Sequence, residues 1–253
     1  MELSNYLSNV LANFTDSRTV KNVTALVQNI IEHNSVRLWS ISSDKAEFER
    51  SKRLLDGSLQ TVLDAEKSSE ALRERSVAAL DAETRLIVLH DPCDIRKKYA
   101  KLLENIGKVR DLDGNIINGY STFATVALSV TGKQLHPVDV TVYSNGDDHY
   151  VTVAELKKFK KGKLQKSKDE AERERARQIT QFVEEKSYLN LPRLTRTQLQ
   201  RVSEAFKAAQ PGRSLCHVLD RQFDGVDYFE FIDQELQDEF VIRAKISRNS
   251  NVE

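Results

Sequence analysis

Along the first eighty residues, apolar positions recur with the spacing of a helix. Val23, Leu26, Val27, Ile30 and Ile31 follow the i, i+3, i+4, i+7, i+8 rule that lays one apolar stripe along a helix face. A mostly polar break over 34–40 interrupts the stripe. Asp44, with Glu47 three residues on, then has the form of a helix N-cap with a capping box. Phe48, Leu55, Leu59 and Val62 continue an apolar stripe beyond it. The pattern predicts a small helical bundle over 1–80, with a helix–turn–helix-like step around 34–44. Two readings of that step stand side by side: DNA contact through its second helix, or a helical cap on the domain that follows.

From residue 81 the period changes. Residues 86–90 are a short, nearly all-apolar run, the pattern of a strand covered on both faces. A turn signal, Asp111-Leu112-Asp113-Gly114-Asn115, precedes a β-branched and apolar run over 122–130. A second turn at 131–133 leads to 134–143, where Val138, Val140 and Val142 alternate strictly. Pro137 predicts that this third strand is an edge strand, or bulged near its start. A helix over 197–209 carries Leu199, Val202 and Phe206 on one face and stops at Pro211-Gly212. A strand over 215–219, a helix over 224–238 (Phe229, Ile232, Leu236) and a strand over 240–246 complete the order. Helices followed by β-β-β-α-β-α-β predict an α/β domain over 81–253, built on a mixed sheet.

Between these elements, residues 151–190 form a charged insertion. Lys157, Lys158, Lys160, Lys161 and Lys163 are followed by alternating charges over 166–177. The segment reads either as a solvated linker and exposed helix laced by i, i+4 ion pairs, or as a local basic surface for DNA phosphate. The whole chain gives no such hint: Lys plus Arg equals Asp plus Glu at 38 each, in 253 residues that are 40% apolar. That balance excludes a disordered or broadly basic protein. Cys93 and Cys216, the only cysteines, have no metal-ligand or disulfide-framework spacing. No apolar run approaches the roughly 18 residues that cross a bilayer, and the first residues lack a basic-then-apolar leader pattern. The expectation is a cytoplasmic protein without membrane contact.

The chemistry concentrates at two strand ends. Asp91 closes the run Leu86-Ile87-Val88-Leu89-His90, and Asp220 closes Leu215-Cys216-His217-Val218-Leu219. A carboxylate at the mouth of a buried strand is costly unless it is paired or binds a cation. Two of them on neighbouring strands make the hard oxygen site that Mg²⁺ or Mn²⁺ prefers, as in two-metal phosphoryl transfer. His90 and His217 lie close to these ends and read as buried, hydrogen-bonded histidines.

The residue context carries a resemblance. Asp91-Pro92-Cys93-Asp94 after an apolar strand, Asp220-Arg221-Gln222-Phe223-Asp224, and Phe240-Val241-Ile242-Arg243-Ala244-Lys245 are similar to three blocks of bacterial insertion-sequence DDE transposases of the insertion-sequence-four type. The resemblance covers roughly 85–150 and 213–248. It implies a ribonuclease-H-like fold, in which the first and fourth strands are neighbours and carry the first two acids. It further implies that Asp91 and Asp220 are catalytic and hold Mg²⁺ or Mn²⁺. The implied partner is double-stranded DNA, both transposon ends and target, bound by a homodimer and associated with the nucleoid. Arg243 and Lys245 are candidate phosphate contacts, and Arg221 either contacts phosphate or pairs with an acid. The family's third carboxylate, a Glu on a later helix marked by Tyr, Arg, Glu and Lys, has no counterpart before Glu253. Glu230, Glu235 and Glu239 fall on or just after the helix behind the fourth strand, which is a different element. The expectation is therefore a partial transposase, inactive alone, with a non-catalytic DNA-binding remnant or inhibitor of the full-length enzyme as the alternative.

Overall fold

A computed structural model describes residues 16–55 and 65–244. The chain divides into two compact units, 1–79 and 80–253. In the first, α1 (Ser17–Glu32) starts at Asp16, whose carboxylate accepts from the amides of Arg18 and Thr19. Such a cap satisfies donors that have no partner within the helix. α1 stops where Asn34 takes a left-handed conformation (φ 45°), which asparagine tolerates better than most residues. α2 (Leu38–Ile41) and α3 (Lys45–Leu55) follow. Val23 and Leu26 of α1 pack with Ile41 and Leu54 in one apolar cluster. The expected capping at Asp44 occurs with a one-residue variation. Asp44 Oδ1 accepts from the Glu47 amide, but Glu47 reaches back to the amide and hydroxyl of Ser43. Glu47 also accepts from Asn29 Nδ2 at 2.8 Å, tying α3 to α1. The Ser43 amide and hydroxyl, then Asn29, hold its carboxyl down to about 2. α4 (Ala65–Ala79) ends the unit.

The second unit is built on a mixed six-stranded sheet. Its strands are β1 (Arg85–Arg96), β2 (Gly107–Arg110), β3 (Ile116–Ser129), β4 (Leu135–Tyr143), β5 (Ser214–Leu219) and β6 (Glu239–Ile242). β3 runs antiparallel to β1 on one side and to β4 on the other. β5 lies parallel to β1, and β6 parallel to β5. The order across the sheet is thus β4-β3-β1-β5-β6, with β2 pairing only the first residues of β3.

One face of this sheet is fully buried. Leu86, Val88 and His90 of β1 point the same way as Phe123, Thr125 and Ala127 of β3 and as Leu215, His217 and Leu219 of β5. Helix α7 (Leu191–Ala209) covers it with Leu199, Val202 and Phe206, all at 0% exposure. α7 is capped by Asn190, which accepts from the Arg193 amide. After β5 the chain makes a 3-10 turn (Arg221–Phe223), a short α8 (Val226–Glu230) and a π-helical turn (Phe231–Glu235). Tyr228, Phe231 and Ile232 from these turns join Phe123, Leu199, Leu219 and Phe223 in one cluster. Burying each such side chain is worth about 1.5–3 kcal/mol. On the opposite face, Leu89, Val140, Val142 and Val241 stay exposed.

Several expectations are revised. β1 does not end at Asp91; it continues to Arg96 because β3 offers a partner as far as Gly119. What ends at His90 is only its parallel pairing with β5. Pro92 is tolerated in mid-strand because β1 is paired on one side alone there. β2 was not expected at all. β4 is both an edge strand and bulged, with a register shift opposite Thr125 and Val126. The helix expected over 224–238 is present over 226–235, its second half as a π-helical turn. The charged insertion is more than a linker. α5 (Val153–Lys160) and α6 (Glu170–Glu184) bury Ile179, Ala176 and Phe182 against Val151 and Leu164. Ion pairs lie on the outside at i, i+3 spacing instead of the expected i, i+4, Arg173 with Glu170 and Arg177 with Glu174.

Phe123 is fully buried between His90 and Phe223, with ring centroids at 5.9 Å from each. Replacing it by alanine is expected to cost about 3–5 kcal/mol, read as a lower denaturant midpoint at unchanged slope.

Candidate functional site

The β1–β5 register brings the two strand-end aspartates together. Leu89 pairs with Val218 and His90 with Leu219, so the next step sets Asp91 beside Asp220. Neighbouring strands are about 4.8 Å apart. Both side chains are exposed, and both lie on the sheet face opposite α7. Asp220 Oδ1 accepts from the Arg221 amide at 2.6 Å, which opens the 3-10 turn and holds the carboxylate at the strand mouth. Asp91 Oδ2 accepts from the Cys93 thiol at 2.9 Å. That bond, then burial and the charges of Asp91 and Asp94, push the Cys93 thiol up. Neither Asp91 nor Asp220 forms an ion pair among the described residues.

β6 adds a cation to the row. Leu219 pairs with Ile242, and the Arg243 amide donates to Leu219 O at 3.3 Å, so Arg243 comes next to Asp220. Asp91, Asp220 and Arg243 thus each come just after the last residue paired in the parallel ladder of β1, β5 and β6. Arg221 is exposed at the start of the 3-10 turn. Lys245 lies outside the described residues. Glu239 is remote from the row: it starts β6 opposite Cys216 and pairs with Arg85. Among the described residues, no group of three or more His, Cys, Asp or Glu is arranged to hold a metal ion. The described donor set is therefore two carboxylates. Cys93 and Cys216 are free thiols.

Beneath the row, inside the covered face, runs a chain of buried polar side chains. Asp238 Oδ2 receives His217 Nε2 at 3.1 Å and Ser203 Oγ at 2.6 Å, while Lys207 Nζ lies 2.7 Å from Oδ1. His217 Nδ1 lies 2.8 Å from His90 Nε2, and His90 Nδ1 lies 2.8 Å from Thr125 Oγ1. Gln198 Nε2 donates to Thr125 Oγ1 at 2.7 Å. The carboxylate fixes the protons throughout, since an ionised Asp accepts only. His217 donates from Nε2, and in that neutral tautomer its Nδ1 is an acceptor. His90 then donates from Nε2 and accepts at Nδ1 from the Thr125 hydroxyl. Every link then has one proton.

Burial favours the same state. His90 is pushed well below its usual value by burial first, and second by the charge His217 would carry if protonated. Burial alone would raise Asp238, but the bonds from His217, Lys207 and Ser203 outweigh it and hold the carboxyl below its ordinary value.

No protein-family model matches this chain, and no curated protein matches it. Its local geometry is therefore the ground for a functional reading. Among the described residues, no helix is long and apolar enough to cross a membrane.

Sequence reasoning reached His90 and His217 but missed Asp238, Ser203, Lys207, Gln198 and Thr125. A signal existed for two of them. Gln198 and Ser203 flank Leu199 and Val202 on the inward face of α7 and are themselves 2% exposed.

The neutral His90 makes stability depend on pH. Its folded value lies below the unfolded one, near 6.5. As pH falls, the unfolded chain takes up the proton first, so stability is complete above about 6.5 and declines below it. The unfolding temperature is expected to hold from pH 8 to about 7 and drop towards pH 5. His90→Gln should flatten that drop.

Proposed function

We propose that this protein acts on DNA by metal-dependent phosphoryl transfer, as a relative of the insertion-sequence DDE transposases. The observation that carries the reading is that Asp91 and Asp220 each directly follow the last paired residues, His90 and Leu219, of adjacent parallel strands. The strand order β4-β3-β1-β5-β6, with β3 alone reversed, is the order of a ribonuclease-H-like sheet and supports the same reading. So does the local field, because two exposed carboxylates side by side repel one another and favour a cation between them.

The two residues fit Mg²⁺ or Mn²⁺. Mg²⁺ keeps several waters and is commonly held by one or two carboxylates together with substrate phosphates. Asp91 and Asp220 would hold the ion. When bound, it would supply an activated water and charge stabilisation at the phosphate. Arg243, next to Asp220, has the charge and reach to take a phosphate oxygen, and exposed Arg221 can serve the same end. Cys93 keeps the Asp91 carboxylate oriented.

A second reading is a DNA-binding protein that does not cut. It is favoured by the set of only two carboxylates among the described residues. Labelled duplex separates the two. Mn²⁺-dependent nicks that vanish in Asp91→Asn mark the enzyme, whereas DNA retained without nicks through Asp91→Ala and Asp220→Ala marks the binder.

The metal site has its own test. Mn²⁺ titrated into the full chain, followed by the paramagnetic signal of the free ion, should bind about tenfold or more weakly to the Asp91→Asn/Asp220→Asn double variant. Mg²⁺ should raise the unfolding temperature of the parent and not of the variant. Equal Mn²⁺ binding by the two proteins would sink the site.

A further inference from the structure

The geometry points to a seat for the backbone of duplex DNA on β2, formed by Lys108 and Arg110, along which a duplex reaches the Asp91–Asp220 pair. This inference rests on the DNA reading above and extends it to residues outside the strand-end row.

Charge is the first support. Between Arg96 and Arg110 the chain carries Arg96, Lys97, Lys98, Lys101, Lys108 and Arg110 against a single acid, Glu104. The protein as a whole is balanced at 38 basic and 38 acidic residues, so this is a local excess. All six basic side chains are exposed. None of them forms an ion pair among the described residues. The other lysine-rich stretch differs, because Lys158 on α5 faces Glu172 at 3.8 Å.

Register is the second support. Residues directly opposite in antiparallel strands share a face. Asp91 pairs with Ala124 of β3, Lys108 with Asn118 and Arg110 with Ile116. Positions 124, 118 and 116 are separated by even numbers, so all three side chains project from the same face of β3's surroundings. That face is the one opposite α7. At about 3.4 Å per residue, Lys108 lies about 20 Å from Asp91 along β3, and Arg110 about 27 Å. One turn of duplex spans about 34 Å, so the acids and both cations fall within a single turn.

Rigidity is the third support. The Lys108 amide donates to Asn145 Oδ1 at 2.7 Å, and Asn145 Nδ2 donates back to Lys108 O at 2.8 Å. Gly107 permits the approach, for a Cβ there would come within 2.1 Å of Asn145 Oδ1. On the same face Lys108 Nζ donates to Asn118 Oδ1. Cations held in place lose less freedom on binding phosphate than cations on a free loop. Phosphate contacts of this kind set position without reading sequence.

The test is fluorescence anisotropy of a labelled 30-base-pair duplex with the full chain, at about 0.1 M salt and over a salt series. Lys108→Glu/Arg110→Glu is expected to weaken binding at least tenfold and to reduce the slope of log K against log salt by about 2. Lys157→Glu/Lys158→Glu should keep the parent slope. Both charge-reversed residues are exposed, so an unchanged circular-dichroism melt verifies the fold. Parent binding with an unaltered slope in Lys108→Glu/Arg110→Glu would overturn the seat and leave the DNA reading standing. No binding by the parent would overturn both.

Discussion

The hydrogen bond between His90 and His217 is the contact on which the candidate site depends. It joins β1 to β5 within the buried face, close to the place where each strand releases its aspartate. A sheet has a side-chain period of two, so a slip of one residue would turn every inward group outward. Here such a slip of β5 against β1 would set His217 in water and Asp220 in the core. The register that satisfies the histidines is the register that juxtaposes Asp91 and Asp220. Packing and candidate chemistry are thus fixed by the same choice. A buried polar network of this sort stabilises only when every member has a partner, and the Asp238 carboxylate ensures that each one does.

Much of the fold was legible because long periodic patterns report burial directly. Leu199, Val202 and Phe206 marked the inner face of α7, and Pro137 marked β4 as an edge or bulged strand. Short or mixed elements escaped for identifiable reasons. β2 is four residues long, alternates small or apolar with basic, and has no length over which a period can be counted. The 224–238 segment has helical spacing in Phe229, Ile232 and Leu236, and of these only Ile232 is fully buried, beside Tyr228 and Phe231. A tighter and then a wider turn rotate its face on the way to Asp238. The charged insertion hid its own core because Ala176, Ile179 and Phe182 are sparse among alternating charges.

The site was legible in its parts. Apolar runs that end in Asp91 and Asp220 are visible in the sequence, but their convergence is not. Convergence needs the crossover that sets β5 beside β1 and the one-to-one register that follows. Arg243 entered as a residue of a strand, and the structure sets it just past the strand's end, next to Asp220 instead of along a separate face. Asp238 was beyond reach because nothing local marks a carboxylate as buried; its partners come from α7 and β5, more than twenty residues away in each case.

The proton arrangement beneath the strand ends also has a direction. Each donor points towards Asp238, and none could be reversed alone without setting two hydrogens or two lone pairs against each other. An amide at position 238 would remove that bias, since an amide both gives and receives. The two imidazoles could then exchange tautomers together, while Gln198 stays held by its bond to Phe123 O. A single carboxylate oxygen thus selects the chemical form of a histidine two strands away from it.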